Sequence, residues 1–376
     1  MSAELRPAWA EIDTGALVRN YRVLSELARP ARLCAVVKAD GYGHGASQTA
    51  RVLFEAGCRD FAVAMVDEGV ELRRAGIDGE ILVLSEVPPA ALEVAAAHDI
   101  SVTVYSVAGA KLASAARRGD TRLKVHLKVD TGMHRVGVSP VGLAEVAEAI
   151  VGDSLEGIWS HFAVADGTSS EDIKFTRLQI DRFHSSLQSL SGRGIRPAQV
   201  HISNTAGLLN YPEARFNKVR AGIGIYGYLP GETATFIELQ PALSLVTKVV
   251  FIQQLDALER PSYGRYRALA RSSRIATIPV GYADGVPRAL FSGGGEVLIN
   301  GTRFPLAGMV TMDQTLVDLG DNQEVSLGDR VVLIGSSGKE SIGADEWARR
   351  CETITWEILC GISQRIPRRT VGDCGG

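Results

Sequence analysis

One lysine near the amino terminus stands where a lysine is unusual in a folded protein. Residues 33–37 form an apolar run that predicts a buried strand, and Lys38 follows directly, at the start of a turn that contains three glycines. Its ammonium either reaches solvent or lies in a site that uses a depressed pKa, because a charged amine is costly to bury. The glycines let backbone N–H groups approach an anion and Tyr42 adds a phenol. The stretch therefore suits a phosphate beside a reactive amine.

Polar side chains that could take part in chemistry recur where later apolar runs end. In chain order these are Lys128 and Asp130 with Arg135 just beyond, His161, Asn204 and Thr205, and Arg220. Each alone has an ordinary structural explanation, because a histidine at a strand end is commonly hydrogen-bonded scaffold and a buried arginine commonly pairs with a carboxylate. Their coincidence with Lys38 at the ends of several runs favours one shared site.

The stretch from Val219 to Gly227 is the second candidate for a binding site. It contains Gly222 and Gly224, whose exposed amides could bind a phosphate, and it places Arg220 on an otherwise apolar strand. A buried pair of Arg220 with a carboxylate is the alternative, and the residues alone leave both interpretations open.

The elements that would position these residues alternate regularly between strand and helix. The apolar runs are Leu33–Lys38, Phe61–Met65, Ile81–Ser85, Val102–Tyr105, Leu123–Val129, Leu155–His161, Gln199–Ile202 and Val219–Tyr226. The helical patterns include Thr14–Ala28, Ala46–Glu55, Ala90–His98, Ala108–Arg118, Leu143–Val151 and Asp172–Leu190. This alternation predicts an α/β fold, a parallel (β/α)₈ barrel of the TIM type. A doubly wound open sheet is the weaker alternative, because no Gly-x-Gly-x-x-Gly turn follows the first strand.

From Glu238 onward the pattern changes to short runs with a period of two, which predicts a mostly antiparallel β domain. The runs are Leu243–Ile252, Ile275–Pro279, Glu296–Asn300, Arg303–Gly308, Thr315–Leu319 and Arg330–Ile334, with one short helix over Gly343–Arg350. Asn300-Gly301 predicts a type I′ hairpin turn. We expect a barrel domain over residues 12–237, and a β domain over residues 238–376 that also includes the strand-like residues 1–11.

Composition narrows the class of function. The formal net charge of −3 is spread along the chain, which argues against a nucleic-acid partner. There is no signal-like start and no apolar run of membrane-spanning length, so we expect a cytoplasmic protein without a membrane partner. The five cysteines are scattered and lack Cys-x-x-Cys spacing, which argues against a disulfide framework and against a metal site.

The chain resembles the alanine racemase family along nearly its whole length. The resemblance rests on the Lys38 motif and on Lys128–Arg135, Ser160–Phe162, Asn204-Thr205, Val219–Gly227, Ser262–Gly264, Met309–Gln314 and the Cys360–Arg368 tail. The fold it implies is a pyridoxal-phosphate barrel followed by a β domain, which agrees with the alternation of elements described above.

The resemblance also implies roles for individual residues. Lys38 would be the Schiff-base lysine of pyridoxal 5'-phosphate and one of two catalytic bases. Tyr263, contributed by the partner subunit of a homodimer, would be the second base on the opposite face of the cofactor. His161 with Arg220 behind it would help the phenol of Tyr263 to act as a base, and Arg220 would also face the pyridine nitrogen.

Substrate and phosphate contacts follow from the same resemblance. Arg135 would hold the substrate carboxylate, assisted by the backbone N–H of Met312 from the partner subunit, and Lys128 matches a lysine that is often N-carboxylated. The expected cofactor contacts are Lys38, Tyr42, Asn204, Thr205, Arg220, Gly222, Ile223 and Trp356. Three positions depart from the usual pattern: Thr205 stands in place of serine, Trp356 in place of a tyrosine, and Thr311 in place of a frequent cysteine.

The implied activity is the interconversion of L- and D-alanine by two bases, supplying D-alanine for peptidoglycan. A racemase for serine or another small amino acid is an alternative, as is a role in self-protection against an antibiotic. A barrel-type amino-acid decarboxylase is less favoured, because its glycine-rich phosphate loop and its late Cys-Asp-x-x-Asp motif are not found. A non-enzymatic cofactor carrier built on the barrel is a further alternative. The β domain with Tyr263 and Met312 argues against it, because a carrier would need neither residue.

Overall fold

The computed structural model describes residues 6–150, 154–231 and 237–372. The described residues separate into two compact units. The first unit contains Leu17–Gly41 and Gly45–Gln240. The second contains the described residues up to Ala16, the short stretch Tyr42–His44, and the described residues from Pro241 onward.

Eight parallel strands form a closed barrel in the first unit, as predicted. In chain order the strands of the whole protein begin with β1 (Ala8–Asp13), β2 (Arg32–Val36), β3 (Asp60–Val63), β4 (Glu80–Val83), β5 (Val102–Val104), β6 (Arg117–Arg118), β7 (Thr121–Arg122), β8 (Val125–Lys128), β9 (Leu155–Trp159), β10 (Gln199–His201) and β11 (Lys218–Ala221). Two four-stranded parallel sheets, β11-β2-β3-β4 and β10-β9-β8-β5, make up the wall. They join where Ser101 pairs with Leu82 and where the Arg220 amide donates to the Ser203 carbonyl at 3.0 Å.

Helices cover the outside of this barrel because each has one apolar face. Their bounds are Thr14–Ala28, Ala46–Glu55, Val66–Arg74, Pro89–Ala97, Val107–Ala115, Leu143–Glu148, Ser170–Ser191 and Thr205–Asn210. In the longest, Ile180, Phe183 and Leu190 are buried at helical spacing, and the hydroxyl of Ser169 caps the first turn by accepting from the Asp172 amide at 3.1 Å. No helix in the described ranges is long and apolar enough to cross a membrane.

Several predicted bounds in the barrel were wrong. The eighth run was predicted as one strand to Tyr226, but β11 ends at Ala221 and Ile223–Tyr226 forms a 3₁₀ turn. Gly222, at φ −111° and ψ −97°, breaks the extended backbone between them. The predicted helix to Arg118 ends at Ala115, and the predicted helix to Val151 ends at Glu148, with Val151 itself outside the described residues.

The second unit consists mainly of antiparallel sheets. Its later strands are β12 (Leu243–Lys248), β13 (Phe251–Leu255), β14 (Ser273–Ile278), β15 (Glu296–Ile299), β16 (Thr302–Pro305), β17 (Thr315–Gly320), β18 (Arg330–Ser337), β19 (Glu340–Ile342) and β20 (Arg368–Val371). One sheet runs β16-β15-β18-β12-β1-β20, with β19 paired to β18, and a second runs β13-β14-β17. Strand β1 pairs antiparallel with β12 and parallel with β20, so the amino-terminal strand is part of this β unit.

Two predictions for the β unit had different outcomes. The predicted single strand Leu243–Ile252 was wrong, because the backbone changes sheets at Val249 and Val250, whose amides donate to Asp329 and Thr277 carbonyls at 3.0 Å each. Asn300 and Gly301 have φ of 51° and 77°, which confirms the predicted I′ type of turn. The predicted short helix is present at Ala344–Arg350, and a second, Thr355–Gly361, was missed.

Candidate active site

The residues that follow Lys38 adopt an unusual left-handed backbone. Ala39, Asp40 and Gly41 have φ of 53°, 53° and 61° with ψ between 43° and 52°, and Tyr42 follows at φ 52°. Each non-glycine residue in this conformation costs roughly 1–2 kcal/mol, because its Cβ crowds the carbonyl oxygen. Such strain persists only where surrounding contacts impose it, and it is concentrated at functional sites. Lys38 itself is half-buried, two residues beyond the end of β2.

Two carboxylates brace the left-handed turn. Glu68 accepts from the Ala39 amide at 2.6 Å with one oxygen, and its other oxygen accepts from the amides of Ala64 at 2.7 Å and Met65 at 3.1 Å. Asp40 accepts from the amide of Ala46 at 2.8 Å, which is the first residue of the next helix. The turn is therefore tied both to the end of strand β3 and to the helix that follows it.

Arg220 lies on β11, the strand next to β2, and only 2% of its surface is exposed. Its guanidinium donates to the Ser160 carbonyl at 2.7 Å and the Ile202 carbonyl at 3.0 Å, and it contacts ring nitrogens of His201 at 2.6 Å and His161 at 3.2 Å. No described carboxylate forms an ion pair with it, so the alternative of a buried Arg–carboxylate pair is not what the structure contains. Burial lowers the pKa of Arg220 to about 10.

These contacts fix the protonation of both histidines. A guanidinium N–H can only donate, so Nδ1 of His161 and Nδ1 of His201 are acceptors and each ring carries its proton on Nε2. Burial and then the Arg220 guanidinium hold the pKa of His161 well below its usual range. A neutral His161 with a proton on Nε2 is a hydrogen-bond donor that can stabilise a phenolate.

Lys128 ends strand β8 and pairs in register with Trp159 on β9, so both side chains face the same side of the sheet. Its ammonium lies 4.4 Å from the centre of the Trp159 ring, and the Arg220 guanidinium lies 4.7 Å from the same centre. Burial, followed by the charges of Arg135 and Arg220, lowers the pKa of Lys128 to about 8. Lys128 is 3% exposed, and no described carboxylate forms an ion pair with it.

Asp130 shapes the loop that leads to Arg135. One of its oxygens accepts from the amides of Gly132 at 2.9 Å and His134 at 3.1 Å, and the other contacts the His134 ring at 3.0 Å. Although burial opposes the shift, these hydrogen bonds lower the pKa of Asp130. Arg135 is exposed, and its guanidinium contributes to the positive potential at Lys128. The site therefore favours anions.

A small cradle is formed beyond β10 and β11. Asn204 caps the helix Thr205–Asn210 by accepting from the Gly207 amide at 2.9 Å. The buried hydroxyl of Thr205 accepts from the amide of Gly222 at 3.1 Å. Ile223 begins a 3₁₀ turn, so its amide has no acceptor within that turn. These groups meet at the carboxyl ends of neighbouring strands, which is where the sequence predicted a phosphate site.

Tyr42 and Trp356 belong to the second compact unit. Tyr42 is 7% exposed, and burial strongly raises the pKa of its phenol. Gly43 must be a glycine, because a Cβ there would lie 2.2 Å from the Leu359 carbonyl oxygen. The half-buried Trp356 is three residues before Leu359 on the helix Thr355–Gly361, so the two side chains lie on one helix face.

Tyr263 and Met312 also lie in the second unit and are solvent-exposed, at 72% and 54%. Tyr263 begins a 3₁₀ turn in the loop between β13 and β14. The carbonyl of Met312 accepts from the Ala283 amide at 3.0 Å, and the neighbouring Thr311 hydroxyl donates to the Gln314 carbonyl at 2.8 Å. The structure thus gathers the barrel candidates at one end of the barrel and carries these two on the β unit.

Three residues of the candidate site were not identified from the sequence alone. The Trp159 ring lies against two cations, the Lys128 ammonium and the Arg220 guanidinium. His201 bonds to Arg220 through Nδ1 and to His126 through Nε2, which lies 3.1 Å from Nδ1 of His126. Trp159 and His201 lie on strands that were predicted. Their position inside a buried strand, where a large aromatic or polar side chain is unusual, was the feature that could have identified them. Glu68 carried no such signal, because its partner is 29 residues away in the chain.

Known families and solved structures match nearly the whole chain. The family model described as alanine racemase, N-terminal domain, matches residues 12–230, and that described as alanine racemase, C-terminal domain, matches residues 242–370. An alanine racemase from Symbiobacterium thermophilum is 43% identical over 372 residues, with 97% of each chain covered. One from Clostridium novyi is 40% identical, covering 98% of this chain and 96% of the relative. The crystal structure of alanine racemase from Bacillus anthracis with bound L-Ala-P has a TM-score of 0.89 at 38% identity, covering 97% of this chain and 95% of that one.

Proposed function

The chain belongs to the alanine racemase family, and on that premise we propose that it is a pyridoxal-phosphate-dependent enzyme that interconverts L- and D-alanine. The observation that carries the proposal is the position of Lys38 on a strained turn at the carboxyl end of β2, beside strand β11 with its buried Arg220. A reactive amine and a cation that no carboxylate of the described ranges pairs with are an unusual pair to hold at one end of a barrel.

The residues at this end of the barrel suit pyridoxal 5'-phosphate. A phosphate needs N–H and O–H donors. The Thr205 hydroxyl accepts from the Gly222 amide and keeps its own proton to donate, and the Ile223 amide has no acceptor within its turn. We propose that the phosphate binds these two groups and shares the Gly222 amide with Thr205, while Asn204 keeps the adjoining helix start in place. Arg220 would face the pyridine nitrogen, and Lys38 would hold the cofactor covalently. We propose Tyr42 and Trp356 as further phosphate donors, the latter through its indole N–H.

When bound, the cofactor supplies an electron sink that makes the α-hydrogen of the substrate acidic. Racemisation then needs a base on each face of the α-carbon, since a single fixed group reaches both faces poorly. Nζ of Lys38 takes or returns the proton on one face. The phenolate oxygen of Tyr263 from the partner subunit does so on the other, and the Nε2–H of His161 stabilises that phenolate.

Arg135 would hold the substrate carboxylate with the Met312 amide of the partner subunit. Lys128 would be N-carboxylated, since its lowered pKa leaves a substantial neutral fraction that can react with carbon dioxide. The ammonium first loses one proton, and the neutral amine nitrogen then bonds to the carbon of CO₂ and releases a second proton, so a cation becomes an anion. That anion would orient Arg135 within a site that otherwise holds an excess of positive charge.

The same proposal includes assembly and cellular role. The protein would be a cytoplasmic homodimer with shared active sites, which supplies D-alanine for peptidoglycan. Its functional division would be a barrel domain of residues 12–237 and a β domain of residues 238–376 with residues 1–11. Pairing of β1 with β12 supports assigning the amino-terminal strand to the β domain, although residues 1–5, 232–236 and 373–376 lie outside the described ranges.

A panel of L-amino acids, including alanine and serine, tests the proposed reaction. Each is incubated with the purified protein and pyridoxal phosphate, and the enantiomers are separated by chiral chromatography. We expect D-alanine to form fastest and the alanine mixture to approach equal amounts. Conversion of serine but not alanine would overturn the substrate assignment, and formation of an amine with release of CO₂ would overturn racemisation.

A further inference from the structure

Ser262 precedes Tyr263 and has one of the rarest backbone conformations in the described chain. Its φ is 71° and its ψ is 179°, a combination that is essentially restricted to glycine. The Ser262 hydroxyl donates to the carbonyl oxygen of Met309 at 2.6 Å. A short side-chain bond of this kind can hold a backbone conformation that the residue would otherwise avoid.

The Tyr263 loop is held by apolar packing only at its base, although the Arg260 guanidinium also donates to the Arg265 carbonyl at 3.0 Å near the tip. The amide of Leu258 donates to the Leu269 carbonyl at 3.0 Å, and the amide of Leu269 donates to the Glu259 carbonyl at 2.8 Å. Leu269 is buried against Ile275 and Ala307, whereas Tyr263 itself is exposed. The tip of the loop therefore lacks the apolar packing that fixes its base.

The hydroxyl bond joins the Tyr263 turn to the segment that carries Met312. Gly308 allows the two strands of backbone to meet, because a Cβ there would lie 2.5 Å from the Pro261 carbonyl oxygen. The Met312 segment is held in turn by the Tyr282 and Ala283 amides, which donate to the Thr311 and Met312 carbonyls at 2.9 and 3.0 Å. Ser262 thus connects an exposed tip to an anchored segment.

We infer that Ser262 is a positioning residue that sets the phenol of Tyr263 relative to the backbone of Met312. A base is effective only when its oxygen is correctly placed against the proton it removes, and a misplacement of about 1 Å can cost about 10²-fold in rate. The inference rests on the proposed racemisation, in which Tyr263 is one of two bases. It assigns to Ser262 no contact with substrate.

Two variants and a matched control test the role. Ser262→Ala removes the hydroxyl bond and keeps the strained Cβ, whereas Ser262→Gly removes the bond and the strain together, so it folds even where the alanine variant does not. Ser273→Ala is the control, since it removes another serine hydroxyl bonded to a carbonyl of the β unit, that of Arg271 at 3.2 Å. We expect kcat to fall about 10- to 100-fold in both Ser262 variants and to change little in the control.

The isotope effect with α-deuterated alanine separates positioning from general damage. In the Ser262 variants the misplaced Tyr263 removes the α-deuterium more slowly. In the direction in which Tyr263 removes the deuterium, this step becomes more rate-limiting and the isotope effect rises. In the other direction Lys38 removes the deuterium and Tyr263 delivers a proton afterwards, so the isotope effect falls toward one. Opposite changes for the two enantiomers are the expected result, and equal changes or none in Ser262→Gly would overturn the inference.

A second measurement separates this inference from the proposed function. The nine tyrosines are replaced by 3-fluorotyrosine, and the Tyr263 signal is assigned by its loss in Tyr263→Phe. We expect the ¹⁹F resonance of Tyr263 to shift in both Ser262 variants and to stay in place in Ser273→Ala. An unmoved resonance would overturn the positioning role even if the protein racemises alanine, while a wild type that fails to racemise alanine would overturn the proposed function alone.

Discussion

The turn that carries Lys38 and the turn that carries Tyr263 are both strained, but they are secured in different ways. The Lys38 turn is braced by two carboxylates, Glu68 and Asp40, and it leads directly into a helix. The Tyr263 turn is exposed at its tip, and the hydroxyl of Ser262 braces it. In the proposed mechanism Lys38 works within its own barrel and can be fixed by local contacts, whereas Tyr263 serves a partner subunit and must project from its own domain.

The largest expected effect comes from removing each base. Lys38→Ala and Tyr263→Ala homodimers should each lose at least about 10²-fold in racemisation, because each lacks one of two required bases. The lysine variant should also lose covalently attached cofactor, measured by borohydride reduction and mass spectrometry of the Lys38 peptide. If that variant still carries reducible cofactor, Lys38 is not the attachment site.

Mixing the two inactive proteins after dissociation tests whether the turns meet across subunits. With random pairing half the dimers are hybrid and half of their sites carry both lysine and tyrosine, so about a quarter of wild-type activity should return. Differently tagged chains verify that hybrids have formed. Hybrids without recovered activity would mean that both turns serve the same chain's site.

A smaller effect is expected from the brace of the lysine turn. Asp40→Ala removes the acceptor for the Ala46 amide and places an alanine at φ 53°, so it should lower the free energy of unfolding by about 1–2 kcal/mol. Asp40→Asn keeps an acceptor oxygen and tolerates the left-handed region, so it should lie within about 0.5 kcal/mol of wild type. Chemical unfolding curves measure both.

Asn300→Ala provides the matched comparison, because Asn300 has a similar φ of 51° at an exposed hairpin turn. It should lower the unfolding free energy without changing cofactor affinity, whereas Asp40→Ala should weaken both. Ser262→Gly, at the exposed turn, should change rates and leave the unfolding curve within about 0.5 kcal/mol of wild type. If Asp40→Ala left cofactor affinity unchanged, the lysine turn would not depend on its carboxylate brace.

The sequence was sufficient to predict the barrel, because strand and helix patterns are local and alternate regularly. It also located Lys38 and Arg220, since charged residues in apolar runs are conspicuous. The left-handed backbone at Ala39 could not be predicted, because alanine rarely adopts it and Glu68, its partner, is distant in sequence. The change of sheet at Val249 could not be predicted either. The apolar run continues past Val249 without a break, and only the hydrogen-bond partners of the backbone change there.

The smallest expected effect concerns Lys128. At this residue the barrel site is shaped by the charges of neighbouring cations, in addition to the backbone strain of the Lys38 turn. Carbon dioxide reacts with the neutral amine, and a pKa of about 8 means that the neutral fraction rises from about 10% at pH 7 to about 90% at pH 9. At a fixed concentration of dissolved CO₂, the initial rate of N-carboxylation should therefore increase with pH and have its midpoint near 8. Carbon-13 NMR with labelled CO₂ measures the carbamate directly.

Lys218 is the control that the chain itself provides, since it is as buried as Lys128 but forms ion pairs with Asp60 and Glu80. Burial alone would lower the pKa of Lys218, but the neighbouring Cys34 and these carboxylates raise it overall. Lys218 should therefore remain a protonated ammonium and give no carbamate signal in this pH range. The signal should disappear in Lys128→Met, which retains an apolar contact with Trp159. A carbamate signal that persists in that variant, or an initial carboxylation rate that has its midpoint near 10, would show that burial against Trp159 and the surrounding cations does not activate this lysine.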